Sequence, residues 1–452
     1  MKTRNKIIII VGSVTLLLGG VSGGHYLYSE NYKINVPDKI TLDKPTKTLT
    51  TKGRGIYDTD GNKVVLNGIN YGNWLIQEEW MSVNSIGPTR DEQGNLSIKD
   101  GVVNSYLEMT QEDLDLAFEN NPNLTKDQVK ELQELYLDSY CTEEDFKNIK
   151  DVGFNMIRLP FYYRNLLEGD NDNLTMKEDA FKYLDFFLEN CKKYDLFCIL
   201  DLHGVPGGQN GLEHSGTFDC EFFTNDKYID VVCNLWKDIA LHYINDRPDL
   251  SYTIAAFDIL NEPTGSNHRT GKEEWVVFDK IYDAIRSVDQ DHIISIESCW
   301  SYYGFANPKK MGWENVLYQL HLYNWDDPKV SYNAFFYYKN ASRYFSDYNV
   351  PLYIGEFTFF NTEKAWEKYL NYWTDNSISW SVWSYKVCTN GWWDSTWGLY
   401  VRRLHLYDGN YKLDCSSATY EDIKWNYENE VTSKTYETGD LYKYMTNYFN
   451  NR

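Results

Sequence analysis

Two glutamates stand at the ends of apolar stretches: Glu262, in Asn261-Glu262-Pro263 after the run 254–260, and Glu356, in Tyr353-Ile-Gly-Glu356-Phe357. Burying a carboxyl in such surroundings is costly unless it has partners or opens onto a pocket. Two carboxyls in one pocket can divide acid–base and nucleophilic work, one holding a proton while the other stays ionised. Arg158, in Met156-Ile-Arg158-Leu-Pro160, is a further charge inside an apolar run, and His203, Asn261, His321, Tyr323 and Trp383 lie at the ends of others. Taken singly, each charge is better explained by a structural ion pair. Their meaning depends on whether the fold gathers them.

Hydrophobic period supplies the elements that would do so. Short apolar runs at 64–71, 155–161, 197–203, 254–260, 293–297, 316–323, 351–357 and 379–385 read as strands. Between them, 177–194, 226–243, 272–288, 331–348 and 363–374 repeat apolar residues at three- and four-residue spacing, as helices do. Near-continuous apolar strands alternating with helices predict a buried parallel sheet, and eight such repeats favour an α/β fold closed into a (β/α)₈ TIM barrel over an open doubly wound sheet. A hairpin turning at Asp60-Gly61 precedes it. Two stretches break the alternation, 77–137 after the first strand and 390–430 after the last. Both leave C-terminal strand ends, so both are expected to shape the active-site rim.

In such a barrel the residues after or within the strand ends converge at one mouth. These are Asn73, Trp74, Arg158, His203, Asn261, Glu262, Glu297, Trp300, His321, Tyr323, Glu356, Trp383 and Lys386. Carboxyls after strands four and seven would face each other across a scissile bond, about 5–5.5 Å apart for retention of configuration and about 6.5–9.5 Å for inversion. Arg158 and Tyr323 would keep Glu356 ionised, and Glu262 is expected to have a raised pKa once Glu356 is charged. Glu297 reads as a structural partner.

Asn261-Glu262-Pro263, Ile354-Gly355-Glu356-Phe357, His321-x-Tyr323 and Gly153-Phe-Asn-Met-Ile-Arg158-Leu-Pro together resemble glycoside hydrolase family 5, from about Gly55 to Tyr400. Asn67-Gly-Ile-Asn-Tyr-Gly-Asn-Trp-Leu75 and Asp201-Leu-His203-Gly-Val-Pro-Gly-Gly-Gln209-Asn210-Gly211 look most like the cellulase and exo-β-1,3-glucanase branch. The resemblance implies retaining hydrolysis of a β-linked polysaccharide or oligosaccharide, with Glu262 as acid/base and Glu356 as nucleophile. It further implies that Asn261 holds the sugar 2-hydroxyl, that Arg158 and Tyr323 position Glu356, and that Trp383 floors the cleavage subsite beside His203 and His321. Leu212 departs from the phenylalanine of the branch's exo-acting members, as does the segment 384–400, which leaves exo or endo action open.

A formal charge of −22 disfavours nucleic acid and anionic headgroups as partners. No Gly-Lys-Ser/Thr accompanies Gly204, Gly207, Gly208 and Gly211, so a phosphate cradle is not indicated. His203, His321 and Glu262 could be a metal trio, but two glutamates explain the pocket without metal, and no cofactor is implied. A catalytically inactive carbohydrate-binding barrel is the rival reading, against which both carboxyls remain. Trp300, Trp325, Trp392 and Trp393 fall in loops after strands and are candidate sugar platforms.

Residues 1–24, basic and then apolar, read as a signal peptide or signal anchor, and 25–54 as an extended tether before a catalytic domain at 55–452. This arrangement predicts an extracellular or cell-surface protein whose only membrane contact is the apolar N-terminal segment. Of eight cysteines, Cys388 and Cys415 flank the C-terminal excursion and form the best candidate bridge.

Overall fold

The structure, a computed structural model, describes residues 48–99, 102–103, 105–264, 272–298, 304–323, 348–389, 396–403 and 412–452. The N-terminal segment 1–47, the helix expected at 331–348 apart from its last residue, and Trp300, Trp325, Trp392 and Trp393 lie outside these residues.

Eight strands close into a barrel: β1 (Asn67–Asn70), β2 (Met156–Tyr162), β3 (Phe197–Gly204), β4 (Ile254–Asp258), β5 (Ile293–Glu297), β6 (Val316–Leu322), β7 (Leu352–Phe357) and β8 (Ser379–Val382). Every pairing is parallel and between sequence neighbours, with β8 returning to β1. Each expected strand has its observed counterpart, with ends that differ by at most a few residues. Helices α1 (Gln111–Glu119) and α2 (Lys126–Tyr140) fill the first excursion, and α3 (Glu143–Val152) leads into β2. The outer ring continues with α4 (Lys182–Lys193), α5 (Asp226–Leu241), α6 (Lys272–Arg286) and α7 (Glu363–Asp375), and the chain ends in α8 (Tyr420–Asn429) and α9 (Asp440–Asn450). Gly153, at φ 118°, stops α3 in a left-handed turn that β-carbon-bearing residues avoid, and redirects the chain into β2.

Strand alternation sorts the core into two compartments. Ile157, Leu159, Leu200, Leu202, Phe257, Ile294 and Ile354 face outward into the layer shared with the helices. Met156, Phe197, Ile199, Ala256, Ile293, Leu317 and Tyr353 fill the lower barrel interior together with Leu49, Ile56, Val64 and Leu66. Those last four belong to or adjoin a three-stranded sheet (Thr50–Lys52, Gly55–Tyr57, Lys63–Val64) that plugs the barrel bottom. Residues 50–52, counted with the tether in the sequence, are therefore paired strand. Climbing the same inward positions, the side chains turn polar: Asn70, Arg158, Asp201, Asp258, Ser295 and Gln319, all buried.

The two excursions meet beside the barrel mouth. Leu413–Asp414 pairs in parallel with Asn84–Ser85, and Asn121 Nδ2 donates to the carbonyls of Cys415 and Ala418 at 3.0 and 2.9 Å. Cys388 and Cys415 are not bridged: each is a free, buried thiol, Cys388 Sγ lying 2.9 Å from Tyr436 Oη and Cys415 Sγ 3.5 Å from Asn84 Oδ1. Polar partners and burial satisfy them singly.

Strict alternation would point Glu356 outward with Ile354. A register shift corrects it, because Leu320 pairs with Ile354 but the next residue, His321, pairs with Glu356, leaving Gly355 as an extra residue in β7. A β-carbon at 355 would sit 2.5 Å from Gln319 Cδ, so the bulge needs glycine. Its carbonyl accepts hydrogen bonds from Asn70 Nδ2 at 2.9 Å and Ser381 Oγ at 2.6 Å. Gly355→Ala is expected to cost about 1–3 kcal/mol through overpacking, read as a lower denaturant midpoint. An unchanged midpoint would show that the bulge has room to spare.

Candidate active site

Arg158 is completely buried and reaches three carboxyls and two amides. Its Nε donates to Asp258 Oδ2 at 2.8 Å, Nη1 to Glu356 Oε1 at 2.8 Å and Asn70 Oδ1 at 3.1 Å, and Nη2 to Asn261 Oδ1 at 2.8 Å, with Asp201 Oδ1 3.0 Å away. The planar guanidinium suits this fan of acceptors. Tyr323 donates its hydroxyl to Glu356 Oε2 at 2.8 Å, so both oxygens of Glu356 are held.

Asn261 is oriented from both ends. Its Oδ1 accepts from Arg158, and its Nδ2 lies 3.3 Å from His203 Nε2. His203 Nδ1 is 2.6 Å from Asp201 Oδ2. Burial drives the His203 pKa down to about 3, so this ring is neutral, donating through Nδ1 and accepting through Nε2. Trp383 lies nearly parallel to that ring, centroids 5.8 Å apart, within an apolar group that includes Met81, Val387 and Trp397 and extends to Trp80, Tyr323 and Phe360.

Glu262 follows Asn261 at φ 40°, a left-handed conformation that costs a non-glycine residue about 1–2 kcal/mol and is held by its surroundings. Its backbone N–H donates to Glu297 Oε2 at 2.8 Å, and Gln319 Nε2 braces that same oxygen at 3.0 Å. Glu297 is therefore a support beneath the Glu262 turn, and burial pushes its carboxyl up to about 8. His321 Nδ1 stands 2.7 Å from Glu262 Oε1, 3.4 Å from Glu297 Oε1 and 3.6 Å from Glu356 Oε2. Burial lowers the His321 pKa, but Glu297, Glu356 and Glu262 outweigh it and raise it to about 9.

The expectation of a raised Glu262 pKa is overturned. Burial does push that carboxyl up, but His214 Nε2 lies 3.0 Å from Oε2, and His214 together with His321 brings the carboxyl well below its ordinary range. His214 was not among the sequence candidates. Neither were Glu78, whose Oε2 accepts from Trp80 Nε1 at 2.7 Å and which burial pushes up to about 8, nor Asp201 and Asp258.

Three expected members do not join the site. Trp74 donates its indole N–H to Leu137 O and packs on Tyr183 and Phe187, in the layer between barrel and helices. Lys386 bonds the Tyr140 carbonyl and lies 3.4 Å from Asp145. Asn73 ties the first excursion, donating to Met81 O and accepting from the Glu78 N–H.

Glu262, His321 and Glu356 each place one donor atom within 4.8 Å of the others. Arg158, Tyr323, His214 and His321 already serve the four carboxylate oxygens, so the geometry answers to hydrogen bonding and ion pairing. The earlier trio with His203 is broken up by its bonds to Asp201 and Asn261.

The sequence model described as Cellulase (glycosyl hydrolase family 5) matches residues 118–388, more than half of the chain. The chain belongs to glycosyl hydrolase family 5. Among curated relatives of this family 5 chain, a beta-xylosidase of Phanerodontia chrysosporium is 31% identical over 283 residues, 61% of this chain and 52% of that protein. Glucan 1,3-beta-glucosidase 2 of Wickerhamomyces anomalus is 31% identical over 48% of this chain and 46% of its own length. Endoglucanase C of Acetivibrio thermocellus is 28% identical over 44% and 57%. The chain thus spans about half the length of the curated relatives it matches. A rutinosidase from Aspergillus niger superposes with a TM-score of 0.55 at 18% identity, covering 81% of this chain and 98% of the other. An endogalactoceramidase gives 0.53 at 14%, covering 89% and 84%. At such identities these structures support the barrel fold alone.

His321 gives the site a pH signature. Its folded pKa of about 9 exceeds the ordinary 6.5, so its ion pairs contribute stability that is full below about pH 6.5 and lost as pH rises through 9. The stability difference between wild type and His321→Gln, followed by denaturant titration, should be largest at pH 6 and shrink by pH 9.5. A constant difference would mean that His321 is not cationic in the fold.

Proposed function

We propose that the chain is a retaining β-glycosidase acting on β-glucan-type polysaccharide or oligosaccharide by double displacement, with Glu262 as acid/base and Glu356 as nucleophile. The observation that carries this reading is the unequal treatment of two carboxyls whose nearest oxygens lie within 4.8 Å. Glu356 is clamped by Arg158 and Tyr323, a setting for an ionised oxygen aimed at the anomeric carbon. Glu262 faces two imidazoles, a setting for a group that gives and regains a proton. Oxygens this near each other support the close carboxyl spacing, about 5–5.5 Å, that retention uses.

Asn261 would hold the 2-hydroxyl, its amide fixed by Arg158 and His203, and Trp383 would floor the subsite. The names of two relatives specify a β linkage and the third is an endoglucanase, which supports a β-linked glycan as substrate. An inactive binding barrel is disfavoured because both carboxyls are present and separately braced. We place the protein outside the cell on its basic-then-apolar start, with the choice between signal peptide and anchor left to fractionation. Among the described residues no helix is long and apolar enough to cross a membrane.

The two roles predict opposite variants. Glu262→Ala should still cleave aryl glycosides with good leaving groups, and azide should restore turnover with a β-glycosyl azide as product. Glu356→Gly should lose essentially all turnover, with azide giving the α-azide. A β-azide from Glu356→Gly would reverse the assignment.

A further inference from the structure

His214 sits in the loop after β3, its side chain 16% exposed, and its Nε2 has two neighbours. Glu262 Oε2 is 3.0 Å away and Asn210 Nδ2 is 2.8 Å away. The Asn210 amide has a defined orientation, since its Oδ1 accepts the Leu212 N–H at 2.9 Å and its Nδ2 also faces Glu262 O at 3.2 Å. Asn210 therefore presents a donor to His214.

One ring nitrogen, with a single hydrogen or a single lone pair, cannot give both neighbours a full hydrogen bond at once. If Nε2 carries a hydrogen, it bonds the Glu262 carboxylate and meets the Asn210 donor head-on. If Nε2 is bare, it accepts from Asn210, and contact with Oε2 requires the hydrogen on Glu262. The two arrangements differ only in the place of one proton.

We propose that His214 is a positioning residue that stores the proton Glu262 delivers: the two share one proton across the Nε2–Oε2 contact, and Asn210 favours its movement onto the carboxyl. This rests on the reading of Glu262 as acid/base. In the first displacement the proton passes from Nε2 to Oε2 and on to the glycosidic oxygen as that bond breaks and the bond from Glu356 to the anomeric carbon forms. Neutral His214 then accepts from Asn210. In the second, water attacks the anomeric carbon, the bond to Glu356 breaks, and the proton of that water refills the pair through Glu262. No proton is gained or lost over the cycle.

The charged and titratable groups facing His214 agree with storage. They are Glu262 from the turn after β4, Glu213 beside it, Glu78 from the first excursion and, 6.1 Å away ring to ring, neutral His203 from β3. Burial alone would lower the His214 pKa, but Glu262, Glu213 and Glu78 raise it to about 10.

The test compares phenyl and 2,4-dinitrophenyl β-glucosides with His214→Gln, which keeps a hydrogen-bonding amide but cannot hold the exchangeable proton. The basic limb of kcat/KM for the phenyl substrate should move to lower pH by at least one unit. The loss at pH 8 should be at least tenfold greater than for the dinitrophenyl substrate, which needs little protonation. Asn210→Asp, which stabilises the imidazolium, should move that limb to higher pH. An unmoved limb in either folded variant, or equal losses on both substrates, would overturn the proposal. Glu262→Ala distinguishes the two levels: selective loss on the phenyl substrate there, without it in His214→Gln, defeats storage alone, whereas no selectivity in Glu262→Ala defeats the acid/base reading as well.

Discussion

The upper barrel depends on one buried guanidinium. Arg158 neutralises part of a ring of carboxyls, Asp201, Asp258 and Glu356, that no other side chain among the described residues reaches in common, while holding the amides of Asn70 and Asn261. A buried cation without such partners would be prohibitively costly, and removing it would leave at least one uncompensated carboxylate inside the barrel. The same contacts that make the charge tolerable also set the angle of Glu356 and the face of Asn261. Stability and site geometry are therefore one arrangement, and the apolar plug beneath it, Leu49, Ile56, Val64 and Leu66, closes the end of the barrel opposite the polar side chains.

Carboxyls outnumber cations here, so all of them do not ionise together. Burial raises Asp201 to about 7 and Glu297 to about 8, while two imidazoles bring Glu262 below its ordinary range. Proton occupancy is distributed by distance to Arg158, His214 and His321. This differs from a simple picture in which the acid is the carboxyl with the raised pKa. On the proposed roles, the proton that Glu262 delivers is held with His214, one hydrogen bond away.

Much of this was legible from the chain. Apolar period alone located all eight strands, and charges inside apolar runs marked Arg158, Glu262 and Glu356. By that same criterion Asp201 and Asp258 carry a readable signal. The direction of strand-end residues was less readable, because a position after a strand does not say whether a side chain turns inward: Trp74 and Lys386 turned toward the helices. Glu356 faces the mouth only through the bulge at Gly355, which strict alternation does not foresee. His214, Glu78 and Trp80 come from loops without period, where position is decided by tertiary contacts such as Asn73 with Glu78 and Asn210 with Glu262.

In the proposed double displacement Glu356 forms a covalent bond to the sugar while Glu262 handles the proton. Incubation with a 2-deoxy-2-fluoro-β-glycoside bearing a good leaving group, followed by proteolysis and mass spectrometry, tests it most directly, because the fluorine slows breakdown of the intermediate. A single glycosylated peptide carrying the adduct on Glu356 is expected. An adduct on Glu262 or Glu297, or hydrolysis of the reagent with water arriving directly and inverting the anomeric centre, would contradict it.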